Sequence, residues 1–280
     1  MSEKWTTIIK PKTGLFDINL KELIQYKDLI IMFVKRDFKT LYKQTILGPL
    51  WIIINPLLTT IMYTIVFGNI ANISTDGMPQ IVFYMLGTTV WTYFSASLTK
   101  TASTFTANAA ILGKVYFPRL VMPISTVLSG LINFGVQFVM FLLFAIYYYV
   151  KGDPINPNVY ILITPLLLLQ LALLSLGFGI IISSLTTKYR DLAVLVGFGV
   201  QLWMYATPVV YPASQIGGKL KTLMMLNPVS PIVESFRYAF LGSGSIPFNF
   251  LLISMVNTLI VLLIGVVLFS KVEKTFMDTV

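Results

Sequence analysis

The chain has 280 residues, 56% of them hydrophobic and only 11% charged, with a net charge of +9 and neither cysteine nor histidine. A soluble domain carries roughly 25% charged residues, so this composition excludes an ordinary water-soluble fold. The missing Cys and His remove disulfides, thiol nucleophiles and most zinc sites, and no metal site is expected.

Residues 1–16 read as a loose tail, and no cleaved leader is expected because residues 1–45 are charged throughout. From Asn19 to Tyr42 the pattern predicts an amphipathic helix. Asn19 and Glu22 form a capping box. Leu20, Leu23, Ile24, Ile31, Val34, Phe38, Leu41 and Tyr42 fall on one face, with Lys21, Gln25, Arg36, Lys39 and Lys43 opposite. Such a helix lies in the membrane interface; the other reading is a solvated juxtamembrane segment.

Beyond it, the stretches 44–75, 77–99, 120–150, 154–187, 192–218 and 238–270 contain no Asp, Glu, Lys or Arg. Each exceeds the ~20 residues that cross a bilayer core. They predict six membrane helices, roughly 46–70, 81–104, 122–150, 158–183, 192–212 and 248–270. The fold class is therefore an all-α integral membrane protein. Residues 1–45 form a tail and interface helix, 46–270 a six-span domain, and 271–280 a second tail. Between spans five and six, the region of about 212–247 is too long for a turn. Apolar pieces at 220–226 and 232–241 are broken by Gly217-Gly218, Asn227-Pro228 and Gly242–Gly244. They predict two short helices at the outer interface, acting as a gate or as a fixed cap.

With the N-terminus inside, only Lys151, Lys219, Lys221 and Arg237 of the 20 basic residues fall outside. This obeys the positive-inside rule and puts both termini on the cytoplasmic side. The basic excess thus reads as topology and attraction to anionic lipid, not as a nucleic-acid surface. Ser175, Gly179 and Ser183 at four-residue spacing allow close helix approach, within the chain or between two copies.

The span centres carry no ionisable group, which argues against proton- or sodium-coupled carriage. They also lack the acid, base or metal that a membrane transferase needs. No G-x-x-x-x-G-K-[ST] loop is present, so the chain is not expected to hydrolyse ATP or to be an enzyme, and a partner must supply the energy. An inner segment of about 105–121 offers a contact. It is more apolar than an inner loop needs to be, and a short helix ending before Pro118 would present Leu112, Val115, Tyr116 and Phe117, with Arg119 beyond. It reads as a docking element or as a segment lying against the bilayer.

At these residues the sequence resembles the membrane subunit of ABC-2 type exporters for polysaccharides and polyol phosphates, the O-antigen and teichoic acid export permeases. The likeness is carried by Val34-Lys-Arg-Asp37, Tyr42-Lys-Gln44, Leu47-Gly-Pro-Leu-Trp51, Asn55-Pro56 and Val66-Phe67 near the first span. It continues in Leu112-Gly-Lys-Val-Tyr-Phe-Pro-Arg119 with Pro123, in Tyr189-Arg-Asp-Leu192, and in Thr207-Pro-Val-Val-Tyr-Pro212, Asn227-Pro228 and Glu234-Ser-Phe-Arg237. Tyr189 stands where Phe is more usual in the family.

The resemblance implies a permease in a bacterial cytoplasmic membrane that moves a lipid-linked glycan or polyol phosphate, with no cofactor in this chain. It implies a homodimer above two ABC nucleotide-binding subunits that hold ATP and Mg. Asn108, Leu112, Lys114, Tyr116, Phe117, Pro118 and Arg119 would couple to those subunits. Pro208, Tyr211, Pro212, Glu234 and Arg237 would belong to the outer gate. Because sugars stack on aromatic rings, Trp51, Tyr63, Trp91, Tyr93, Trp203 and Tyr205 are candidate channel-lining residues, although Trp and Tyr are also enriched in the interfacial belt. Lys219, Lys221 and Arg237 read as exposed cations that meet substrate phosphate or lipid headgroups, unless Glu234 and Arg237 pair on one helix. The alternatives are a drug or small-lipid exporter of the same class, and a stand-alone channel or secondary carrier.

Overall fold

A computed structural model describes residues 20–42, 48–112, 114–115, 117–186, 189 and 191–275, and these are helical with no strand among them. Two pieces, α1 (Leu20–Gln25) and α2 (Lys27–Tyr42), occupy the expected amphipathic segment, with a turn at Tyr26 between them. The Asn19 cap lies outside the described residues. The face that meets the protein differs from the expected one. Tyr26, Leu29, Ile30 and Phe33 pack inward, while Ile24, Ile31 and Phe38 stay exposed. The helix is apolar on two sides, and a pattern search merges them. The inward residues follow i, i+3, i+4, i+7, and the exposed trio repeats every seven residues.

Among the described residues, five helices are long and apolar enough to span a membrane. They are Trp51–Ile70, Gln80–Ala102, Val121–Lys151, Val159–Thr186 and Phe248–Lys271. The first begins as α3 (Trp51–Tyr63) and continues in wider π-type turns over Thr64–Ile70. The second is α4 (Gln80–Ala102), the third α7 (Val121–Lys151), and the fourth contains α8 (Thr164–Thr186). The last is α12 (Phe248–Thr275). Before α7 come two short turns of helix, α5 (Thr104–Ala107) and α6 (Ala109–Leu112).

The expected crossing at 192–212 is not a full-length helix. It is α9 (Leu192–Tyr205), 14 residues, which rise about 21 Å against a core of about 30 Å. Pro208 removes a backbone donor and stops the helix. The chain goes on as turns through Thr207, Pro208, Val209 and Val210, all buried. Irregular backbone at membrane depth is tolerated only when buried in protein in this way. Two short helices then follow, α10 (Gly218–Leu226) and α11 (Ser230–Leu241).

The core forms around α4, whose most apolar stretch is 78% buried, against 11% for the first span. Behind it, α8 packs between α4 and α12. Gly179 is why they come close, since a Cβ there would collide with Thr101 of α4. Gly265 of α12 likewise faces α8, and a Cβ added to it would lie 2.9 Å from the Gly177 carbonyl oxygen. The small residues of α8 therefore serve contacts within the chain. At one end Phe33 of α2, Phe105, Phe117, Ile180 and Phe269 of α12 form a single cluster. Hence α2 and the last helix meet at the same end, called here the α2 end.

Candidate functional site

At the α2 end the segment before α7 is tied down. Phe117 is 5% exposed, its ring 5.9 Å from that of Phe33, and Phe105 stacks on Phe269 at 5.0 Å. The expected outward-facing Phe117 is thus buried, and its burial links the segment to α2, α7, α8 and α12. Helix stops at Leu112, several residues short of Pro118. Lys114 and Val115 are exposed, whereas Pro118 and Arg119 are half-buried. Asn108 turns back to donate to the Thr104 carbonyl at 2.9 Å. The side chains of Leu112 and Tyr116 lie outside what the structure describes. Next to Phe33, the Arg36 guanidinium lies 4.7 Å from the ring centroid and bonds Asp37 at 2.8 Å. Ser129 of α7 also donates to the Asp37 carboxylate, at 3.4 Å.

From here a slot runs between α2, α3, α4 and α7. Cavities of about 530, 70 and 320 Å³ share walls, and Asn133 lines all three. Arg36, Asp37 and Lys100 stand at its mouth, Thr92 and Gln137 line its middle, and Asn55, Thr59 and Thr88 its far part. From Lys100 to Thr88 along α4 is about 18 Å, more than half of a bilayer core of about 30 Å. The hydroxyls of Thr59, Thr88 and Thr99 donate to carbonyls one turn earlier, which satisfies them within their own helices. Gln137 is 7% exposed and lines both the middle and the far part of the slot.

Thr59, Thr88, Thr92, Asn133 and Gln137 stood out in no motif, because a charge-free run does not separate Thr, Asn and Gln from apolar residues. A signal was present: Asn55/Thr59, Thr88/Thr92 and Asn133/Gln137 each repeat at i, i+4, one face of a helix.

The predicted aromatic lining divides. Trp51 is 43% exposed and borders the slot, and Tyr93 lines it while packed against Phe134 at 5.5 Å. Tyr205 is open, and Tyr63 bonds the Met204 sulfur at 3.6 Å. Trp91 is buried, packed 6.4 Å from Trp203. Trp203 is held in turn by Phe94 and by a 3.0 Å bond from its Nε1 to Asn227. These two are interior packing, not open surface.

The opposite end centres on Arg237, which is 1% exposed and therefore not the open cation expected there. Its Nη1 donates to Glu234 Oε1 at 2.8 Å and to the Tyr211 carbonyl at 3.2 Å, and its Nη2 donates to the Val209 carbonyl. The guanidinium also stacks 3.8 Å above the Phe83 ring of α4. Gly87 makes the approach possible, because a Cβ there would lie 3.0 Å from Arg237 Nη2. Burial raises the Glu234 carboxyl above its usual range, with Arg237 opposing, and lowers the Arg237 guanidinium, with Glu234 opposing. Burial likewise pushes the Tyr211 phenol up to about 12, with Arg237 pulling it down. Pro208 and Pro212 are buried beside this group.

Other bonds fix the C-terminal end of α11. Asn156 and Asn158 donate backbone N–H groups to the Leu241 and Ala239 carbonyls, and Asn158 Nδ2 donates to Tyr238 at 2.7 Å. These are the carbonyls a helix leaves unpaired at its C-terminus. Asp76, in the turn before α4, accepts from Ser214 at 2.7 Å and from Ser243 at 3.4 Å.

A bundle of membrane-length helices with a slot between them defines a multi-pass membrane protein. The chain belongs to the ABC-2 type transporter family, whose profile matches residues 28–241. It is 28% identical over 252 residues to an O-antigen export system permease protein RfbA of Klebsiella pneumoniae, covering 90% of this chain and 94% of that one. It is 31% identical over 224 residues to the protein of the same description from Myxococcus xanthus, covering 79% and 83%. The family resemblance read from the motifs is thereby borne out.

Proposed function

We propose that the chain is the permease subunit of an ATP-driven exporter that moves a lipid-linked polysaccharide, O-antigen-like or teichoic-acid-like, across the bacterial cytoplasmic membrane. The observation that carries this is similarity along nearly the whole length to permeases described as O-antigen exporters. In this reading two copies of the chain sit above two ATP-binding subunits, which hold ATP and Mg. The α2 end faces the cytoplasm with both termini, and α9 with its buried extension makes the sixth crossing.

Lys114 and Val115 then form the exposed part of the contact with the ATP-binding subunit. Phe117 passes the movement of that segment to α2 and α12 through the aromatic cluster. Tyr205 and Trp51 face the glycan path, and α10 with α11 caps the outer side.

The test is affinity purification of the tagged chain from native membranes with ATPase assay of the product. An ATP-binding partner in fixed ratio, hydrolysing ATP only when this chain is present, supports the reading. A pure chain that conducts solute into liposomes without ATP refutes it in favour of a channel or carrier.

A further inference from the structure

We propose that the slot between α2, α3, α4 and α7 is the intake site for the head of the exported lipid, with Lys100 taking its phosphate and Gln137, Asn133 and Thr92 its first sugar. This rests on the exporter reading and adds where the head enters.

Three observations carry it. First, the slot opens at the α2 end and its walls run about 18 Å along α4 from Lys100 to Thr88. It thus reaches into the bilayer core from one side, as an inward-facing intake must. Second, polar side chains (Thr92, Asn133 and Gln137) interrupt its largely apolar lining. Gln137 lines this space, where its amide gains from a hydrogen-bonding ligand. Hydroxyls of a sugar would supply it with both an acceptor and donors.

Third, the mouth has a free cation. Arg36 is engaged by Asp37, whereas Lys100 is exposed and has no ion-pair partner among the described residues. Asp37 disfavours an anion at its own position, but Arg36 and Ser129 already hold it. The favourable place for a phosphate is therefore the Lys100 side of the mouth. The slot lies along α3, the most exposed span, so a polyprenyl tail stays in lipid while the head enters.

Because the chain has no cysteine, Asn133→Cys and Thr92→Cys each give a single reporter thiol. They are introduced separately into the complex with its ATP-binding partner in inside-out membrane vesicles. The probe is a polar, membrane-impermeant maleimide. Both thiols should react, and a polyprenyl-diphosphate-linked oligosaccharide should slow the reaction at least severalfold. Sugar-free polyprenyl diphosphate should protect less, and added anionic phospholipid not at all. Combining either cysteine with Lys100→Gln should raise the protecting concentration about tenfold, the loss expected for one charge-assisted hydrogen bond.

The proposal is overturned by reaction only with lipid-soluble maleimides, by disulfide formation between copies through these thiols, or by equal protection from phospholipid. ATP-driven export of the same compound by the complex of the unsubstituted chain is measured in parallel, and labelling is read on this chain alone. Intact export without protection removes the slot assignment alone. Absence of export removes the exporter reading, and this one with it.

Discussion

Two arginine–carboxylate pairs lie at opposite ends of the molecule and do opposite things. Arg237 and Glu234 are 1% and 8% exposed in their side chains, and every contact they make is internal. Arg36 and Asp37 are 39% and 28% exposed and stand at the mouth of a polar slot. The first pair replaces water with carbonyls and the Phe83 ring, so it fixes α11 against α4. The second remains in reach of solvent and contributes little to folding. Buried charge here marks architecture, and the half-exposed pair marks the mouth of the slot.

Substitutions can break this comparison. Arg237→Met leaves Glu234 buried and unpaired, which should cost about 3–5 kcal/mol and show as a large fall in melting temperature or in folded yield. Adding Glu234→Met should recover much of that loss. If the double variant is no better than the single one, the pair is not the reason for the damage. Phe117→Ala should cost about 3–4 kcal/mol, because it empties the cluster that joins α2 to α12. Gly179→Val should cost about 1–3 kcal/mol by forcing α8 off α4, read in the same melting assay. Asp37→Asn should change stability by at most ~1 kcal/mol. A larger change would mean that the half-exposed pair is structural as well. Val115→Ala, on the exposed side of the Phe117 segment, should cost under ~0.5 kcal/mol while lowering ATPase stimulation in the complex.

How much of this the sequence revealed follows from what its patterns encode. Charge-free runs of more than 20 residues announce spans whatever their neighbours, and four of the six expected helices lie within a few residues of the expected bounds throughout. The first begins at Trp51, some five residues after its expected start, and the one at 192–212 fails because Thr207-Pro208 stops the helix while the chain stays buried. Apolar content cannot distinguish those two states. The α2 face was misread because Phe33 and Ile31 are equally apolar, and only tertiary contact tells which one turns inward. Arg237 read either as an exposed cation or as the partner of Glu234 on one helix, and the pairing holds at 2.8 Å while the exposure does not. Its partners at Val209 and Tyr211 are backbone carbonyls, which no residue pattern advertises. The slot was missed because its polar residues are divided among α2, α3, α4 and α7.

The most direct test of the account is transport by the complex of this chain and its ATP-binding partner, reconstituted in vesicles with a polyprenyl-linked glycan on the outer leaflet. Where the α2 end faces outward, the glycan should disappear from a non-permeant glycosidase only with ATP and Mg, and only when both subunits are present. Movement by this chain alone without ATP, or none by the intact ATP-hydrolysing complex, would contradict it.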